Sequence, residues 1–150
     1  FKFRFYFCLL YFKIHKKYEN FNLVTLLFNN NLKMIAKTRQ GLNYEDRKDN
    51  FSNFMLDNDG NFVFTKDSKT GLRDNSNLLS IAILEPEKDT LSFHNIDLEK
   101  NYIDEVKLKI DNLNKRYIIN SFYYKKSRGN IDGLFTYVWD KINSKTFTQN

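Results

Sequence analysis

Asp57-Asn58-Asp59-Gly60 sets acidic and amide side chains ahead of a glycine, the spacing of a calcium loop. With Gly60 as the sixth position, however, Met55 takes the first ligand place and Lys66 the twelfth, where an EF-hand needs Asp and Glu. The matching stretch Asp111-Asn112-Leu113-Asn114-Lys115 carries an apolar residue inside the turn. Both segments therefore read as hairpin turns. His15 and His94 stand alone, without a Cys, His or carboxylate at zinc-ligand spacing. No nucleophile elbow, phosphate-binding glycine loop or Cys/His pairing is present, and Glu85 with Glu87 or Asp104 with Glu105 read as solvated turn charges. The sequence assigns no catalytic residue, no metal ligand and no cofactor.

Cations form the one pattern that points to a ligand. They recur in three clusters: Lys13, Lys16 and Lys17; Lys66, Lys69 and Arg73; Lys125, Lys126 and Arg128. Tyr11, Phe12, Tyr18, Phe122, Tyr123 and Tyr124 stand beside them, and interleaved rings and charges suit bases or sugars. With a formal net charge of +6, an anionic polymer or a protein with an acidic surface is the expected partner, and nucleic acid the lesser alternative. The same lysines also serve simply to keep strand edges soluble.

The elements that must carry these clusters repeat. Leu23-Val24-Thr25-Leu26-Leu27-Phe28, Leu78-Leu79-Ser80-Ile81-Ala82-Ile83 and Leu134-Phe135-Thr136-Tyr137-Val138-Trp139 align as apolar runs, with Thr25, Ser80 and Thr136 spaced 55 and 56 positions apart. Short β-branched or aromatic runs bounded by Asn, Asp or Gly are strands buried on both faces. A strand precedes each run, at Tyr6 to Lys17, Asn61 to Lys66 and Arg116 to Lys126. Another precedes the second and third copies, at Phe51–Leu56 and Val106–Ile110. A last one follows each run, at Leu32–Ile35, Thr90–Phe93 and Thr146–Thr148. Each cation cluster falls between the second and third strands, whereas Asp57, Asp59, Glu85, Glu87, Asp89, Asp111 and Asp140 mark the opposite turns. The expected fold is all-β, made of repeated four-stranded antiparallel meanders. Its units are residues 1–46 (incomplete), 47–104 and 105–150 (incomplete).

A four-stranded meander repeated at this period is the blade of a β-propeller, and three blades do not close a ring. The pattern, with phrases such as Asp57-Asn58-Asp59-Gly60-Asn61-Phe62 and Gly129-Asn130-Ile131-Asp132-Gly133-Leu134-Phe135, resembles the uncharacterised long-blade β-propeller repeat proteins of bacteria. That resemblance implies a partial propeller, further blades on the same polypeptide, and a periplasmic, cell-surface or secreted location. The expected function is a non-catalytic module that binds a protein or an anionic polymer through the basic loop face, or alternatively a piece of a glycan- or peptide-processing propeller enzyme whose catalytic residues lie largely outside this chain.

Three local expectations complete the reading. Leu98, Tyr102, Val106 and Ile110 recur every four positions, as in a helix, but Val106, Leu108 and Ile110 alternate with lysines, which favours a strand. Cys8, in an apolar run, is a buried hydrophobe rather than a reactive thiol. The apolar run Phe5 to Phe12, preceded by Lys2 and Arg4 as in a signal peptide, is followed by no small-residue cleavage site and is too short to span a bilayer.

Overall fold

The computed structural model describes residues 7–15, 20–143 and 145–149, with side chains placed for 22–143. Lys16, Lys17 and Phe1 to Phe5 lie outside the described residues, and the side chains of Cys8, Tyr11, Phe12, Lys13 and His15 are not among those placed. Every regular element among the described residues is a strand, and no helix is long and apolar enough to cross a membrane.

Three antiparallel meanders follow one another along the chain. The first sheet holds β1 (Phe7–His15), β2 (Asn20–Phe28) and β3 (Met34–Asn43) in sequence order. The second holds β4 (Asp49–Leu56), β5 (Phe62–Ser68), β6 (Leu78–Leu84) and β7 (Ser92–Ile96), and the third β8 (Tyr102–Asp111), β9 (Arg116–Tyr124), β10 (Gly133–Asp140) and β11 (Lys145–Gln149). The expected last strand of the first copy is displaced. Leu32 sits in a turn with φ of 57°, its N–H bonded to the Asn29 carbonyl, and β3 runs on to pair Asn43 with Asn20. The Asn29 side chain closes this turn by accepting the backbone N–H groups of Asn31 and Lys33.

Residues 102 to 111 are a strand, and a bulge explains their helix-like spacing. Glu105, at φ 53°, is inserted between Asp104 and Lys107 in the pairing with β9. Ile103 and Val106, three positions apart, are thereby turned to the same core as Leu108 and Ile110. An equivalent bulge at Asn53, φ 55°, brings Phe51 and Phe54 to one core. The Asn53 amide Nδ2 donates to Thr65 Oγ1 at 2.9 Å and to the Val106 carbonyl at 3.0 Å, tying β4 to β8 of the next sheet.

The middle sheet is buried on both sides. Phe62, Phe64, Ala82 and Leu84 meet Leu23 and Leu42 of the first sheet. Val63, Leu79, Ile81 and Ile83 meet Leu108, Tyr117, Ile119, Phe135 and Tyr137 of the third. Each fully buried Val, Leu, Ile or Phe among them contributes about 1.5–3 kcal/mol of transfer free energy.

The aligned hydroxyl residues do not share a face. Thr25 lies with Leu23 and Leu27 toward the second sheet, while Ser80 lies with Ala82 and Leu84 toward the first. Thr136 lies on the side of β10 opposite Phe135 and Tyr137, away from the second sheet. Ser80 is thus out of phase with both threonines, and a one-residue offset exchanges the two faces of a strand. Apolar runs buried on both sides conceal such an offset.

Candidate binding face

The connections β3–β4, β5–β6, β7–β8 and β9–β10 all emerge at one end of the sheets, because every meander alternates direction strictly. This loop end carries the second and third cation clusters. Lys69 and Arg73 lie in the β5–β6 loop, and Lys125, Lys126 and Arg128 in the β9–β10 loop. Lys66 belongs to β5 itself, paired to Asp49 at 3.2 Å with its ammonium 5.7 Å from the Phe51 ring centre.

The β5–β6 and β9–β10 loops interlock. Arg128 Nε donates to the Arg73 carbonyl at 2.7 Å, and the Arg128 N–H to Asn75 Oδ1 at 2.9 Å. Ser127 Oγ donates to Asp74 Oδ1 at 2.9 Å and accepts the Asn75 N–H at 3.3 Å. Beneath them the Ile103 N–H bonds the Ser76 carbonyl at 2.7 Å, bridging the two sheets. Asp132 caps the second loop by accepting the Lys125 N–H at 2.7 Å.

The charge left on this surface is positive. The interlocked loops hold Lys69, Arg73, Lys125, Lys126 and Arg128 against two carboxylates, Asp74 and Asp132, and none of the five cations forms an ion pair among the described residues. Arg73, Lys125, Lys126 and Arg128 are exposed, beside the partly exposed ring of Phe122. Like charges clustered on neighbouring loops sum their fields and draw in anions.

The opposite end pairs several of its charges. Asp59 takes Lys115 at 2.6 Å, Asp140 takes Arg116 at 3.3 Å, and Glu85 takes Lys88 at 2.9 Å. The Asp140 carboxyl lies below its ordinary range because the Asn143 backbone and side chain donate to it. Asp57, expected in a surface turn, is buried and accepts the N–H groups of Asp59 and Asn61, the Asn61 amide and the Tyr117 hydroxyl. Gly60 closes that turn at φ 85°, which a residue with a Cβ adopts only under strain. Among the described residues no group of three or more His, Cys, Asp or Glu side chains is gathered as a metal site would require.

Sequence reasoning missed the surroundings of two titratable groups, one buried and one partly buried. Asp67, on β5, accepts Asn50 Nδ2 at 2.9 Å and Ser76 Oγ at 2.7 Å, and burial, aided by the nearby Asp104 charge, raises its pKa. His94, on β7, stacks on Trp139 with ring centres 4.0 Å apart and bonds the Tyr137 hydroxyl at 2.6 Å. The partners lie far away in the sequence. The separations across the seams nevertheless follow the repeat: Arg73 with Arg128, Asn58 with Asn112 and Asp59 with Lys115 all join equivalent loops of successive units.

No protein-family model matches the chain, and no curated protein matches it. Two solved structures share its fold: a variant of Synechocystis apocarotenoid oxygenase, with a TM-score of 0.55 at 10% identity, and the cobalt-substituted form of that enzyme, with 0.54 at 10%. The alignments cover 96% and 95% of this chain and 34% of each of theirs. The fold is a partial β-propeller. The chain spans about a third of the length of the propellers it matches, and its three sheets are successive blades.

Proposed function

We propose that this propeller segment is a non-catalytic binding module that holds an anionic polymer across the loop end of its second and third blades. The supporting observation is the interlock of the β5–β6 and β9–β10 loops, which brings five cations free of ion pairs to one surface. A polymer gains from such an array because the loops that carry the cations are already tied together, which leaves only the side chains to be ordered on binding. Dextran sulfate titrated calorimetrically in rising salt tests the reading. Binding that weakens steeply between 50 and 200 mM salt is expected on counterion release, by roughly 0.7 decades per decade of salt for each charge neutralised on a single strand. The double substitution K125E/R128E should weaken it at least tenfold. Absence of binding at low salt, or binding indifferent to the charge reversal, overturns it; preference for single-stranded DNA would move the reading to nucleic acid.

A second reading, a piece of a propeller enzyme with its catalytic residues largely outside this chain, draws on the oxygenase activity named for the two matching structures. On its side stands the raised pKa of Asp67 at the seam with Asp104. Its two internal donors, Asn50 and Ser76, favour a structural role for that carboxyl.

A further inference from the structure

The blades on the two flanks of the array each keep one face uncovered among the described residues. On the third blade, Ile118 pairs with Val138 and Phe122 with Leu134 across β9 and β10, on the side turned away from the second blade. None of the four joins either core, and Leu134 is 53% exposed. Between the two pairs the Thr136 hydroxyl donates to Asn120 Oδ1 at 2.9 Å, so the polar pair at the centre of this face is bonded within the sheet. On the first blade, Val24 and Leu26 occupy the side of β2 opposite Leu23 and Thr25 and join neither core. The backbone register of β1 sets Tyr11 beside Val24.

The two open faces are the two halves of a seam. The first and second blades each receive the next blade on an aliphatic side, through Leu23 and Leu42 in one and Val63, Ile81 and Ile83 in the other. The open side of the third blade holds the same place in its sheet and is mostly aliphatic too. The second and third blades turn their opposite sides to the blade before them, and that is the place the open side of the first blade holds. The bordering charges do not collide. Lys107 and Lys109 flank Asn120 and Ile118 from β8, the first strand of its sheet, whereas Lys37 and Arg39 flank Leu26 and Val24 from β3, the last strand of its own. The Asn53 bond from β4 to Val106 of β8 stacks first strand on first strand, an arrangement that keeps the two cation pairs at opposite edges of a seam.

We infer that a second copy of this chain covers both faces, the third blade of each copy packing on the first blade of the other. Such a head-to-tail contact closes into a ring where the rotation allows and otherwise grows into a filament. Two copies bring six sheets, inside the range of about four to eight blades in closed propellers. The area also suffices. β1 and β2 run nine residues each, so a three-stranded face measures about 30 Å by 14 Å at the usual rise and strand spacing. Two seams, each covering that face on both partners, bury about 1,600 Å², the standard size of a stable interface.

Sedimentation equilibrium of the intact chain tests this without any ligand, and so independently of polymer binding. A species of twice 18.1 kDa with a micromolar dissociation constant is expected. Leu134→Glu charges the open face of the third blade at a half-exposed position, and Leu26→Glu charges that of the first. Either alone should raise the dissociation constant at least tenfold while circular dichroism stays unchanged. Mixing the two folded variants restores one unaltered seam, so a mixed dimer should form where neither variant dimerises by itself. A symmetric contact between two third blades would instead leave the Leu26→Glu variant dimeric. The parent mass and the Leu134→Glu variant decide the matter even where Leu26→Glu fails to fold. A parent chain that stays monomeric, an open series of larger species, a dimer indifferent to Leu134→Glu, or folded variants that form no mixed dimer would overturn the inference.

Discussion

The Tyr117 hydroxyl donates to Asp57 Oδ2 at 2.8 Å across the seam between the second and third blades, with both side chains buried. Burial and the facing carboxylate hold the phenol protonated far above its ordinary range. The bond joins β9 to the β4–β5 turn, which the Asp57 carboxylate also organises from within.

Tyr117→Phe should therefore destabilise the chain by about 1–2 kcal/mol, since it leaves Asp57 short of a buried donor. The neighbouring Lys115 to Asp59 pair, also across the seam, is exposed to water, and Lys115→Met should cost at most about 1 kcal/mol. Urea unfolding of the two variants checks the order. Equal losses would mean that the seam is held by its surface charges and not by the buried bond.

Asp67 makes a prediction of opposite sign from a carboxylate whose pKa is held down by an ion pair. Because burial raises its folded pKa above that of the unfolded chain, the folded state holds its proton more tightly, and stability falls as pH climbs from the ordinary carboxylate value through the raised one. Asp67→Asn removes this dependence while keeping an acceptor for Asn50 and a partner for Ser76, so at neutral pH it should be no less stable than the parent. Asp67→Ala strands both donors and should cost about 1–3 kcal/mol. Guanidinium melts of both variants from pH 4 to 7 decide the matter; an Asn variant as weak as the Ala variant refutes it.

His94 responds to acid. Burial lowers its pKa in the fold, so below the ordinary histidine value the unfolded chain takes up a proton that the folded chain resists, and stability is lost as pH falls through about 6.5. The stacking on Trp139 provides the reporter: indole fluorescence should change with the acid transition in the parent and lose that component in His94→Gln. A pH-independent melting temperature between 5 and 7.5 would contradict the assignment.

Strand positions were legible because turn residues and apolar runs recur at a fixed period, and β4 to β11 follow the expected order. What could not be read is phase. Runs such as Leu78 to Ile83 are apolar at successive positions, so the choice of which residue meets which neighbour is made by the packed sheets and leaves no alternation in the sequence. The bulges at Asn53 and Glu105 add an extra residue that shifts the phase again, and at Glu105 this accounts for the false helical spacing. At the loop end, the side-by-side placement of the cation loops was readable from the repeat, whereas the pairing of Lys66 with Asp49 and, at the opposite end, the burial of Asp57 depend on folded distances.

The alternation of β5 between two cores ties the fates of the seams together. Val63 and Phe64 are chain neighbours, yet each anchors a different interface. Melting either interface would strip one side of the strand that the other relies on. Three repeats with separate sheets should accordingly unfold in one cooperative step, with the amides of β5 and β6 exchanging last with solvent deuterium and the outlying strands ahead of them.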